Sequence, residues 1–114
     1  MTVDEMTAKI RRFRDEREWQ QFHNPKDMAI AISLEASELL EHFLWIDSGA
    51  ANQRVEARKD AITDEVADIA IFLFELADNM NIDLLSAMSA KLERNAVKYP
   101  IHKAKGRSDK YNEL

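Results

Sequence analysis

The chain has 114 residues, 46% of them apolar and 32% charged, with a formal net charge of −5. That is enough for one domain around a single core and too apolar for a disordered chain, and the negative balance argues against binding polymeric nucleic acid. The absence of cysteine excludes disulfides, thiolate zinc sites and cysteine nucleophiles, while two glycines and two prolines leave little punctuation for short strands and turns. The composition predicts an all-α fold. The opening Met1-Thr2-Val3-Asp4-Glu5 lacks the basic-then-apolar layout of a secretory signal. The longest apolar run, residues 69–74, falls far below the ~20 residues needed to span a bilayer. A cytoplasmic protein with no membrane partner is expected.

Four helices follow in chain order. Thr2 and Glu5 have capping-box spacing, and Met6, Ile10 and Phe13 continue at helical intervals, predicting a first helix that runs to about Phe22. His23-Asn24-Pro25 interrupts it, with Asn24 as N-cap and Pro25 as first residue of a second helix ending near Trp45-Ile46. Asp47-Ser48-Gly49 starts a polar loop. A third helix is predicted from near Asn52 to about Met80, polar at first and apolar nearly all round over residues 66–76. Such a stretch must be covered on several sides, in a bundle or against another subunit. Asn81 or Asp83 caps a fourth helix, which Pro100 ends after Tyr99. Residues 1–100 are thus expected to form one helical domain and 101–114 an extended basic tail. Residues 91–110 hold seven Lys/Arg against Glu93 and Asp109, either a solvated basic edge or a local anion site in an acidic protein.

Glu35, Glu38, Glu65 and Asp68 form two Glu-x-x-acid pairs inside the two most apolar stretches. Spacing of i, i+3 puts both members of a pair on one helical face. The bland alternative is a solvated acidic face paired with Lys or Arg, but residues 28–46 contain neither, and nor do residues 60–90. Converging carboxylates without cationic neighbours are best stabilised by a hard divalent cation. All-oxygen ligands favour Mg²⁺, with Mn²⁺ as a substitute, over zinc. A di-iron centre would need Glu-x-x-His from two helices. Here Leu39 stands three residues before His42, and the third helix has no histidine. Because Mg²⁺ prefers a few carboxylates plus substrate phosphates, the acids point to a phosphorylated substrate. Lys91, Asn95 and Lys98, at i, i+4 and i+7 with Arg94 beside them, offer a face for the remaining phosphate oxygens. Trp19, Phe22 and His23, with Trp45 at the end of the second helix, could stack on and hydrogen-bond a base, or could seal the bundle ends. No P-loop motif is present.

These residues resemble a known family. Glu35-x-x-Glu38 followed by Glu65-x-x-Asp68 is similar to the metal motif of the MazG-like all-α nucleoside triphosphate pyrophosphohydrolases. Phe13-Arg14-Asp15-Glu16-Arg17, Trp19, Gln21-Phe22-His23, Pro25, Phe43-Leu44-Trp45, Lys91, Asn95, Lys98-Tyr99-Pro100 and Lys110-Tyr111 resemble its dCTP pyrophosphatase branch. The resemblance covers residues 13–114. It implies a four-helix bundle assembled as a homodimer or homotetramer, and cleavage of a nucleoside triphosphate between its α and β phosphates, in nucleotide-pool housecleaning. It further implies Glu35, Glu38, Glu65 and Asp68 as Mg²⁺ ligands, with Glu35 or Glu38 as general base. Trp19, His23 and Trp45 would surround the base, and Lys91, Asn95, Lys98 and Tyr99 would lie near phosphates or sugar. Phe72 departs from the branch, which carries tyrosine there; it can pack against a sugar but donates no hydrogen bond. From another class, a non-catalytic helical interaction module would use the same apolar faces to hold a protein partner.

Overall fold

The computed structural model describes residues 1–114 and is all-helical. The chain forms two compact units, residues 1–81 and 82–114. In the first, α1 (Val3–Glu16) leads through a 3-10 turn (Gln20–Phe22) to α2 (Pro25–Glu41), and a second 3-10 turn (Ser48–Ala50) precedes α3 (Ala51–Ala57) and α4 (Lys59–Asn79). The second unit holds α5 (Leu84–Lys98), the short α6 (Ile101–Ala104) and a 3-10 turn (Tyr111–Glu113).

The starts of the helices follow the sequence cues. Thr2 Oγ1 accepts from the Glu5 amide at 3.1 Å while Glu5 Oε2 accepts from the Thr2 amide at 3.3 Å, completing the capping box. Asn24 Oδ1 accepts from the Asp27 amide at 2.9 Å, with Pro25 in the first turn where its missing N–H costs nothing. Of the two candidate caps for α5, Asp83 is the one used: its Oδ1 accepts from the Ser86 amide at 3.1 Å.

The ends depart from expectation. α1 stops at Glu16 rather than near Phe22, because Glu18 turns to a left-handed φ of 55° and the Trp19 amide reaches back to the Arg14 carbonyl. α2 ends at Glu41, and residues 42–45 form a turn in which the Phe43 amide bonds Leu40; Trp45 closes it with a φ of 65°. The single third helix expected from residue 52 to 80 is two, parted at Arg58 (φ −126°, ψ 34°). The stretch read as an extended tail carries α6 and the final 3-10 turn.

In the first unit α4 is the central element. α2 packs along it most extensively, and α1 and α3 also lie against it. Ile10, Met28, Ile62 and Ala77 form the buried apolar core, joined by two buried charged residues, Arg14 and Glu75. Arg11 grips Asp78 through two hydrogen bonds of 3.1 and 2.7 Å, tying α1 to α4 at the surface. Much of the apolar sequence is not covered: Ile30, Leu34 and Leu40 on α2 and Val66, Ile71 and Leu73 on α4 are all exposed.

Met28, only 1% exposed, is the most enclosed large side chain. Met28→Ala is expected to cost about 2–5 kcal/mol through lost burial and the cavity left behind. Urea denaturation checks this; a cost under about 1 kcal/mol would show that α2 and α4 do not close over that position.

Candidate metal centre

The packing of α2 along α4 sets the site. Glu35 and Glu38, one turn apart on α2, meet Glu65 of α4, and one carboxylate oxygen from each lies within 4.8 Å of the other two. Asp68, a turn beyond Glu65, is outside that tight set and exposed, but close enough for its charge to act on both Glu35 and Glu65. Within this unit, none of the four pairs with a lysine or arginine.

Two consequences follow for their chemistry. Removal from water, and then the neighbouring Glu38, Asp68 and Glu65, push the Glu35 carboxyl up to about 7. Glu65 is raised by the same causes, burial first and then Glu38, with His42 opposing the shift. Glu35 Oε2 and Glu65 Oε2 are also buried without any hydrogen-bond partner. Buried, unpartnered carboxylate oxygens are rare, because the lost hydration is not replaced. An all-oxygen donor set with open lone pairs fits a hard divalent cation and fits zinc or a redox metal poorly.

His42, which the sequence reading used only to exclude di-iron, sits at this site. Its Nε2 is 3.8 Å from Glu65 Oε1, and its Nδ1 faces Arg58 Nη1 at 3.5 Å. The signal was available: His42 lies four residues after Glu38, on the same helical face.

The aromatic residues occupy two places. Trp19 stands edge-on to Phe13 (centroids 5.8 Å, 73°) and tilted against His23 (6.3 Å, 48°), and is itself 43% exposed. His23 Nδ1 lies 2.8 and 3.0 Å from the two carboxylate oxygens of Glu75, a residue the sequence reading passed over. Phe22 is exposed beside them. Trp45 is in the turn after α2, 97% exposed and without an aromatic partner. Phe72 on α4 is half-buried.

The second unit carries the basic candidates. Lys91 and Asn95 line a shallow depression on α5 with Ala87, Met88 and Leu92. Lys98 Nζ lies 4.9 Å from the centre of the Tyr111 ring, which meets Tyr99 edge-on at 6.2 Å (82°). The Lys-Tyr-Pro run at the end of α5 and the Lys-Tyr pair near the C-terminus therefore pack on each other.

An all-helical fold with a carboxylate-lined candidate metal centre on two packed helices defines the class of the protein. The model of the MazG-like family matches residues 30–114. Human dCTP pyrophosphatase 1 is 33% identical over 115 residues, covering 99% of this chain and 68% of that one, and the rat protein of the same name is 31% identical with the same coverage. A crystal structure of a pyrophosphatase from Archaeoglobus fulgidus superposes with a TM-score of 0.83 at 40% identity, over 85% of this chain and 91% of the other. The chain belongs to the MazG-like family.

The raised carboxyls make metal-free stability depend on pH. Glu35 holds its proton to about 7 in the fold but to the ordinary value of 4.5 in the unfolded chain. Between those values the folded state binds more protons, so stability falls as pH rises. Without metal, Tm should drop from about pH 5 to about pH 8, and Glu35→Gln should flatten the decline. A Tm that rises over that window in the wild type would contradict the strained cluster.

Proposed function

We propose that this protein is a Mg²⁺-dependent enzyme of nucleotide-pool housecleaning that hydrolyses a deoxynucleoside triphosphate, dCTP or a modified dCTP, to the monophosphate and pyrophosphate. At the coarser level the chain is a nucleoside triphosphate pyrophosphatase, by its family and its relatives. The observation that carries its metal dependence is the convergence of Glu35, Glu38 and Glu65 with two buried, unpartnered carboxylate oxygens, and the dCTP preference is supported by the relatives.

Glu35, Glu38, Glu65 and Asp68 would hold the ion, whose chemistry when bound is to neutralise triphosphate charge and favour departure of pyrophosphate. The hydrolysis breaks the bridging bond between the α and β phosphates as water adds, and the water's proton must go to a base. Glu35 or Glu38 would take it, a carboxylate of the cluster being within reach of a water that the ion orients. Trp19 and Trp45 would stack on the base and His23 would hydrogen-bond it, while Phe72 would pack against the sugar. Lys91, Asn95, Lys98 and Tyr99 would serve the phosphates or sugar. On this assignment residues 1–100 do the chemistry and 101–114 form a basic C-terminal segment.

A homodimer or homotetramer is part of the proposal. Exposed Ile30, Leu34, Leu40, Val66 and Leu73 support it, because so many large apolar side chains on two adjacent helices are stabilised by cover from another subunit. No helix is long and apolar enough to cross a membrane, which fits the expected cytoplasmic location. The interaction-module alternative loses ground, since the relatives are enzymes.

Pyrophosphate release measured over a panel of nucleotides, with and without Mg²⁺, tests the proposal. Activity should require the ion and favour a cytosine deoxynucleotide. Glu38→Gln and Asp68→Asn should each lower kcat by more than the about 10–100-fold that loss of a merely supporting group costs, with unchanged helical content. Near-normal turnover of these variants in Mg²⁺ would remove the assignment of the acids.

A further inference from the structure

Two charged side chains buried in the first unit take no part in the acid cluster. Glu75 of α4 and Arg14 of α1 are each 4% exposed. Both carboxylate oxygens of Glu75 lie within 3.0 Å of His23 Nδ1, and Arg14 Nε is 4.0 Å from Glu75 Oε1. Arg14 also donates to Asp15 Oδ1 and to Asn79 Oδ1, each at 2.9 Å, and Asn79 Nδ2 lies 3.5 Å from the His23 carbonyl. Replacing a buried ion pair by apolar side chains is often neutral or stabilising, so stability alone does not account for this arrangement. Its geometric consequence is specific. With the Arg14 guanidinium supplying the balancing charge, the carboxylate acts as acceptor only, and His23 Nδ1 must carry the proton. Nε2 makes no hydrogen bond within the chain, and in the neutral form of the ring it is the nitrogen that bears the lone pair.

We propose that Glu75 is the positioning residue for base selection: it fixes His23 as the Nδ1–H tautomer, so that Nε2, beside the exposed Trp19 ring, accepts a hydrogen bond from the exocyclic amino group of the nucleobase. This rests on the assignment of His23 and Trp19 to the base. Stacking on Trp19 tolerates every base. An acceptor at Nε2 favours an amino-bearing base and meets a carbonyl oxygen, such as O4 of thymine, lone pair to lone pair. Selection between amino and oxo bases is thereby set from a buried residue that never touches substrate.

Glu75→Gln tests this directly. Arg14 should draw the glutamine carbonyl, turning the amide N–H towards Nδ1 and forcing the ring proton to Nε2. Long-range ¹H–¹⁵N NMR, at a pH where the ring is neutral, should show His23 as Nδ1–H in the wild type and Nε2–H in the variant. Affinities for dCMP and dTMP, measured by calorimetry and so independent of turnover, should show a dCMP-to-dTMP preference that falls by about tenfold or inverts. Should the single variant fold poorly, Arg14→Leu with Glu75→Leu removes the whole pair, and its preference should fall to near unity. A wild-type Nε2–H tautomer overturns the proposal, as does a preference unchanged in a folded variant. Absence of pyrophosphate release from the wild type would count against the enzymatic reading and leave these two readouts standing.

Discussion

Carboxylate repulsion along the seam between α2 and α4 is the constraint on which the rest of this molecule depends. The packing that encloses Met28 and Ile62 also drives Glu35 and Glu38 against Glu65 with no lysine or arginine of that unit to offset them. Proteins usually place such charges at the rim, where water screens them. Here oxygens of Glu35 and Glu65 are buried without partners, and Glu35 relieves the repulsion by holding a proton to near neutrality. A cation bound there, as proposed, would relieve that repulsion, and its affinity would then be tied to the stability of the helix pair.

Much of this was legible from residues. The pairs at i, i+3 in apolar stretches marked the cluster, because helical spacing fixes the face and the missing cations fix the electrostatics. The caps at Thr2 and Asn24 were equally readable, being local hydrogen bonds between near neighbours. What escaped was decided by long-range contacts or by backbone torsion. The rhythm of Met6, Ile10 and Phe13 predicts a first helix to about Phe22, and nothing in it announces the left-handed Glu18. The break at Arg58 was equally silent. No local pattern singles out Glu75; only its meeting with Arg14 and His23, 61 and 52 residues distant in sequence, gives it meaning. The place of His42 beside Glu65 was legible too, since its spacing from Glu38 puts it on the acidic face.

Exposure carries the second theme. Trp45 is 97% exposed on a left-handed backbone, a conformation costly for a bulky residue and with no return from contacts inside the chain. Ile30, Leu34 and Leu40 present an uncovered apolar stripe along α2. A stacking base in the one case and a second subunit in the other would supply what the isolated chain lacks. If Phe72 packs against the sugar as proposed, it offers an apolar surface without a donor, so sugar discrimination would have to come from elsewhere.

The central claim is that the four acids form a strained cation site, and calorimetric titration of the protein with Mg²⁺ near neutral pH tests it most directly. Run in buffers of different ionisation heat, the titration should show saturable binding with net proton release, because Glu35 must give up the proton it holds near 7 before it can ligate. Tm should rise with Mg²⁺ in parallel. Heats that do not depend on the buffer, together with a Tm indifferent to millimolar Mg²⁺, would contradict the account.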